Sequence, residues 1–401
     1  MAPNELKEQL DLKELELNSL LEITQAINSN IPEDALYKIF DFTLRANLRI
    51  KKIALYVLDD FWNCKVNYGT ETNFSQVPLP RQFSDVKEST KINGKVGDFR
   101  VFDFVFPVKQ QAKTLAIVFV GKDETGTGVD TTFLEAITNI IVVAIENKRL
   151  ANEQLKEEAF RKELEIAKNV QRFLFPDELP YGIRLKIEAS YIPHRTVGGD
   201  YYDYIPINRN QFLICIADVS GKGVPAALIM SNFQASLRAM IRHTPNLTEI
   251  IEALNYQLLE NAKGENFITF FGGIYDHKLK TLVYINAGHN HPVLITPDKK
   301  VKLLDEGTTI LGAFHPLPFV NEGFITDLDN FLLFLYTDGL TETSDSTGEE
   351  YGPERLTKFL EENADKDLRE IHKIVMKDLD KFKGENEYMD DITLLSCKLE
   401  D

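Results

Sequence analysis

QFLICIADVSGKGVPAA, residues 211–227, is the stretch whose reading decides the fold. An unbroken apolar run, Phe212 to Ala217, stops at Asp218; Gly221 and Gly223 then flank Lys222, and Pro225 opens an amphipathic segment. A short run of large apolar residues closed by an acid and glycines predicts a buried strand entering a tight turn. A carboxylate at the end of such a strand is held rigidly and still reached by solvent. Alone, Asp218 reads most simply as a turn or cap residue. The rest of the chain changes that reading, because the placement recurs. The run Phe331–Tyr336 ends in Thr337, Asp338 and Gly339; Gly198 and Gly199 precede Asp200; Asp390 and Asp391 enter the run Ile392–Leu395.

Four acidic sites at strand edges, with no His or Cys at ligand spacing, form a pattern that scattered caps explain poorly. Carboxylates gathered at one end of a sheet repel one another unless cations neutralise them. All-oxygen donors suit Mg²⁺ or Mn²⁺. Two such ions can activate a water and clamp a phosphoryl oxygen, a hydrolysis needing no protein nucleophile.

Working outward, Leu185–Tyr191 predicts a strand, Pro225–Arg242 and Leu247–Ala262 a helix pair, Phe267–Tyr275 and Leu282–Asn286 a hairpin, and Pro353–Asn363 and Leu368–Phe382 a second helix pair. Upstream, two helical patterns run from Leu15 to about Phe42, strands are expected at Lys52–Asp59, Cys64–Tyr68, Val101–Val108 and Thr114–Val120, and a connection at Lys109–Lys113. From Thr131 no Gly or Pro occurs before Pro176. That predicts a rod on the order of 65 Å. Its second part is rich in Glu and Lys with a sparse seam of Leu150, Leu155, Ala159, Ile166 and Val170, read as a parallel two-helix coil rather than a helix lying on its own domain.

The 401 residues suit two domains. The net charge of −17 argues against a nucleic-acid surface. No apolar run approaches the ~18 residues that span a bilayer, and the N-terminus lacks a signal-like apolar core, so cytoplasmic residence is expected. The three cysteines are expected to be reduced.

The order helix, strands, polar insertion, strands, long helix over residues 15–150, notably FDFVFPVKQQAKTLAIVFVG, resembles a GAF domain, a small sensory module; it names no ligand. Downstream, VGGDYYD, IADVSGKGVPAAL, NAGHN, LYTDGLTE and DDIT, in this order, resemble the sporulation stage II protein E type of metal-dependent serine/threonine protein phosphatase, kin of the type-2C enzymes. The junction Phe173-Leu174-Phe175-Pro176 is also similar. Gly-Gly-Asp is shared with nucleotide cyclases, but Tyr201 and Tyr202 stand where those need Glu and Phe.

The two resemblances imply an α+β chain: a GAF-like domain over 1–146, a helical linker over 147–175 and, over 176–401, an α-β-β-α sandwich of two antiparallel sheets flanked by helices. They imply two Mn²⁺ or Mg²⁺ ions on Asp200, Asp218, Asp338 and Asp390, with the Val219 carbonyl as an additional ligand and Asp391 as a further candidate. Arg195 lies where type-2C enzymes hold a phosphate-binding arginine, which a guanidinium fork suits. The type-2C pattern Asp-Gly-His-Gly is here Asp218-Val219-Ser220-Gly221, so no histidine is available at that point as a general acid. His289 is expected to be a turn histidine bonded to nearby backbone, Glu342 could approach the metal edge, Lys222 between its glycines could contact a phosphate although the rest of the P-loop pattern is absent, and Ser220 has no assigned role. The implied substrate is a phosphoserine or phosphothreonine protein, in this family often an anti-sigma-factor antagonist, and a homodimer through the linker is expected. The rival is a phosphatase-like scaffold without hydrolysis.

Overall fold

The computed structural model describes residues 3–29, 31–46, 50–92, 96–110, 113–121 and 131–400. They form two compact units, Met1–Ala159 and Phe160–Asp401.

In the first unit, helices α1 (Pro3–Asn28) and α2 (Glu33–Ala46) precede strands β1 (Lys52–Leu58) and β2 (Trp62–Tyr68). A short helix α3 (Arg81–Ser84) and a two-residue β3 (Thr90–Lys91) lead to β4 (Phe104–Gln110) and β5 (Lys113–Gly121), and α4 (Thr131–Arg172) follows. The sheet order is β2-β1-β5-β4-β3, antiparallel throughout. Alternation divides β1 between two cores: Ile53, Leu55 and Val57 face Ile23, Phe40, Ile137 and Ile141 of the helices, whereas Ala54 and Tyr56 face Phe74, Phe83, Phe99 and Phe119. These rings pack edge-on and tilted, 4.7 Å between the centroids of Phe99 and Phe119, and Trp62 lies half-buried against them. The fourth strand starts three residues later than expected, because Gly97–Val101 winds into a 3₁₀ turn. Residues 111 and 112 of the expected connection lie outside the described residues.

Helix α4 is continuous for 42 residues. One face of it is buried as far as Glu146; beyond that most residues are exposed until the buried Gln171, and its stripe of Leu155, Ile166 and Val170 is more than half open to solvent.

The second unit contains β6 (Leu185–Ile192), β7 (Tyr201–Pro206), β8 (Gln211–Val219), α5 (Val224–Met240), α6 (Leu247–Ala262), β9 (Ile268–Asp276) and β10 (Thr281–Ala287). There follow β11 (Val293–Ile295), β12 (Val301–Leu303), β13 (Gly307–Thr308), β14 (Gly323–Ile325), β15 (Phe331–Tyr336), α7 (Asp338–Thr341), α8 (Pro353–Asn363), α9 (Leu368–Lys383) and β16 (Ile392–Leu399). One sheet runs β13-β10-β9-β8-β7 with β14 beside β10; the other runs β12-β11-β15-β16-β6. The expectation of wholly antiparallel sheets needs one correction: β13 pairs with β10 in parallel over two residues, because the chain reaches it by a long excursion through the other sheet.

The opening stretch explains the layering. Phe212, Ile214 and Ile216 point into the core between the sheets with Phe271, Leu333, Leu335 and Leu395. Leu213, Cys215 and Ala217 point the other way, against Met230, Phe233, Ile250 and Leu254 of α5 and α6. A strand covered on both faces must be apolar at every position, which is why the run does not alternate. Across the sandwich, Phe334 and Ile392 meet Leu356, Ile371 and Val375 of α8 and α9. The result is an α-β-β-α stack.

Candidate active site

Four chain segments bring the acids together at one end of the stack. Asp218 is the penultimate residue of β8, opposite Thr269 of β9. Asp200 immediately precedes β7, Asp338 opens α7 after Thr337, which follows the last residue of β15, and Asp390 and Asp391 immediately precede β16. Thus Asp200 and Asp218 come from one sheet, and Asp338, Asp390 and Asp391 from the other.

Asp200 is 1% exposed and ties the two sheets. Its Oδ2 accepts hydrogen bonds from Thr337 Oγ1 at 2.8 Å and Thr393 Oγ1 at 2.5 Å. Thr337 Oγ1 in turn accepts the Thr393 amide at 2.9 Å. Both threonines lie inside the quoted motifs, yet nothing in local pattern shows that their hydroxyls meet an acid more than 130 residues upstream.

Burial, then the charge of Asp218, push the Asp200 carboxyl well above the usual carboxylate range; the two threonine bonds oppose this. Asp218 is pushed up to about 7 by burial and by Asp338 and Asp390. Burial and Asp390 raise Asp338 in the same direction. Such shifts mark negative charges that lack compensation.

Asp391 is placed differently from a free ligand. Its Oδ1 accepts the His194 amide at 2.8 Å and its Oδ2 the Gly199 amide at 3.0 Å, so both oxygens fasten the 194–199 loop. Asp390 is paired with Lys222, whose Nζ lies 2.6 Å from Oδ2 and donates to Met389 O at 2.7 Å. Sequence reasoning gave Lys222 no protein partner, because Lys222 and Asp390 lie far apart in the chain. Arg195 is exposed and has no charged partner among the described residues. Its Nη1 stands beside Gly223, 3.9 Å from where a Cβ would lie. Glu342 is exposed, and its carboxyl is raised by burial and by Asp338.

Gly199 is required by close approach: a Cβ there would come 2.8 Å from the Val219 carbonyl oxygen. The turn after Asp218 uses φ of +95° at Gly221 and +76° at Gly223, which side chains rarely adopt. Ser220 anchors that turn; its Oγ accepts the Phe267 amide at 2.9 Å, and its carbonyl accepts from Asn266 Nδ2 at 2.8 Å.

His289 bonds to backbone, though across the sandwich rather than nearby. Nε2 lies 3.1 Å from the Tyr336 carbonyl, which only accepts, so Nε2 carries the proton and Nδ1 accepts from Thr269 Oγ1 at 2.8 Å. Burial pushes this imidazole down to about 4. It is a neutral brace between β9 and β15. At the other edge, Gln171 in the last turn of α4 clamps Gly198: Nε2 donates to its carbonyl at 2.8 Å and Oε1 accepts its amide at 3.3 Å.

The donor set fits a hard divalent cation. It consists of oxygens, its negative charges outnumber the cations near them, and the Val219 carbonyl is left uncovered by a glycine. The Tyr191 hydroxyl, near Asp391, Asp200 and Asp218, is buried with no hydrogen-bond partner. Among the described residues, no three His, Cys, Asp or Glu side chains surround a single point.

Comparison with known proteins places this geometry. The stage II sporulation protein E (SpoIIE) family model matches residues 208–400. The phosphoserine phosphatase RsbU of Bacillus subtilis is 28% identical over 241 residues, which are 60% of this chain and 70% of that protein. The phosphoserine phosphatase RsbP of the same organism is 25% identical over 236 residues, 58% of this chain and 56% of that protein. The SiaA PP2C domain of Pseudomonas aeruginosa superposes with a TM-score of 0.55 at 21% identity, covering 61% of this chain and 99% of that domain. Residues 208–400 are thus similar to the stage II sporulation protein E family, and the second unit has the fold of a PP2C phosphatase domain.

Proposed function

We propose that the chain is a metal-dependent protein serine/threonine phosphatase whose second unit hydrolyses phosphoserine or phosphothreonine on a partner protein. The observation that carries this reading is the set of buried and half-buried acids from both sheets, whose mutual repulsion calls for cations. Asp200, Asp218, Asp338 and Asp390 with the Val219 carbonyl would hold two Mn²⁺ or Mg²⁺ ions. When bound, such ions supply a water acidic enough to attack at neutral pH and neutralise phosphoryl oxygens. The chain's own residues do the rest. Thr337 and Thr393 orient Asp200, Asp391 fixes the loop that carries Arg195 and Gly199, and Arg195 offers its fork to the phosphate. His289, neutral and doubly bonded, takes no part in proton transfer.

Turnover of p-nitrophenyl phosphate and of a phosphoserine protein should appear with Mn²⁺, vanish with EDTA and return when Mn²⁺ is restored. Bound metal without turnover of any phosphoprotein would favour the scaffold reading instead. By family resemblance the partner is an anti-sigma-factor antagonist, and the setting cytoplasmic; no helix among the described residues is long and apolar enough to cross a membrane.

Residues 1–146 serve, in this reading, as a GAF-like sensor and 147–175 as a linker pairing two copies. Support comes from the exposed stripe on α4 and from Gln171, which ties the last turn of that helix to a glycine two residues before Asp200. Light scattering at micromolar concentration should give twice the 45.7 kDa chain mass, falling to one chain in Leu155→Glu/Ile166→Glu. A monomeric wild type would remove the coil.

A further inference from the structure

We propose that Lys222 is an internal cation that competes with divalent metal for the acid cluster, so that the Ser220–Gly223 turn sets metal affinity. This rests on reading the acids as a metal site. The ammonium lies 2.6 Å from Asp390 Oδ2, a member of the proposed ligand set, and its second contact is the Met389 carbonyl at 2.7 Å. Its charge also reaches Asp338 and Glu342. One monovalent cation thus serves carboxylates from the ends of β15 and β16, in a cluster with more negative charge than it can balance.

The turn is built so that this cation can leave. Ser220, on one side, is fastened to the start of β9 by three hydrogen bonds through its amide, carbonyl and hydroxyl. On the other side α5 begins at Val224. Between these anchors Lys222 stands between two glycines of positive φ, and its side chain is 40% exposed. Swinging the ammonium into water therefore breaks no core contact. Asp390 is 39% exposed, so the pair is screened and of modest strength. A divalent ion carries twice the charge and binds several carboxylates at once, so it displaces the ammonium, at an affinity lowered by the strength of the pair. An exposed ion pair of this kind corresponds to about fivefold in a binding constant.

Mn²⁺ binding to the full-length chain, followed by the electron paramagnetic resonance signal of free Mn²⁺, tests this in wild type, Lys222→Met, Lys222→Arg and Asp338→Asn. Lys222→Met should bind about fivefold more tightly than wild type, and Lys222→Arg, which keeps the charge, should stay near wild type. Equal or weaker binding by Lys222→Met, with wild-type binding that Asp338→Asn removes, overturns the competition and leaves the metal site standing. Equal gains in Lys222→Met and Lys222→Arg would also overturn it, since loss of charge would not be the cause. If wild type binds no Mn²⁺, or Asp338→Asn binds it as wild type does, the site reading itself fails.

Discussion

Asp338→Asn should lower Mn²⁺-dependent phosphate-ester hydrolysis by at least about a hundredfold, equivalent to about 2.7 kcal/mol of transition-state stabilisation, while the protein stays folded. Asparagine keeps the size and one acceptor oxygen of the side chain and removes its charge. The charge at position 338 acts on the rest of the cluster: it is the first cause after burial of the raised Asp218 carboxyl, and Asp390 acts on it in turn. The side chain anchors no strand, and the cap geometry of α7 runs through backbone, with Glu342 N donating to Asp338 O at 2.8 Å. The neutral variant relieves repulsion in the metal-free protein, so its melting temperature should equal or exceed that of wild type. Loss of activity should be deepest at low Mn²⁺ and partly recovered as Mn²⁺ is raised. Retention of full activity at limiting Mn²⁺ would sink the assignment of Asp338 as a ligand.

Arg238→Met should cost about 3–5 kcal/mol of stability in the second unit, because it strands a buried charge. Asp203 is fully buried; its Oδ2 lies 2.7 Å from Arg238 Nε, and its Oδ1 accepts from Arg238 Nη2 at 3.0 Å and from the Tyr204 amide at 2.8 Å. The Tyr201 hydroxyl also donates to Oδ2. Methionine fills most of the arginine stem's volume and supplies none of the donors, so the carboxylate keeps two partners and loses its counter-charge. For a domain of this size that loss corresponds to a fall of about 10 °C in melting temperature. Chemical denaturation of the single variant and of Arg238→Met/Asp203→Asn separates the causes. The double variant should recover much of the loss, since it removes the stranded charge. A single variant within about 1 kcal/mol of wild type would mean that the pair is no more than a screened surface contact. The network joins α5 to β7, next to Asp200, so activity should fall together with stability.

Much of the second unit could be read from the chain alone, for a physical reason. Long apolar runs such as 212–217 and 331–336 are legible because a strand covered on both faces has no room for polar residues. The acids that end those runs are legible because each interrupts the pattern abruptly. Strand β7 escaped because it is short, ends in Pro206 and carries Asp203, which looks like a turn acid until Arg238 is seen beside it. The same limit hid Thr337, Thr393 and Lys222. Their partners are distant in sequence, and a hydroxyl or ammonium gives no sign of which acid it will meet. Asp391 shows it most plainly: adjacent to Asp390 and chemically identical, it spends both oxygens on backbone amides, while its neighbour faces a lysine. In the first unit the apolar half of α4 could be read, and the displaced start of β4 could not, because a 3₁₀ turn and a strand make similar use of Phe99, Val101 and Phe102.

The ring cluster of the first unit has an optical consequence. Trp62, the chain's single tryptophan, lies half-buried against those rings, and the second unit contains no indole. Tryptophan emission excited apart from tyrosine therefore reports on residues 1–159 alone. A shift in that emission when a phosphoprotein binds the second unit would be a direct spectroscopic measure of communication along the chain, obtained without any added label.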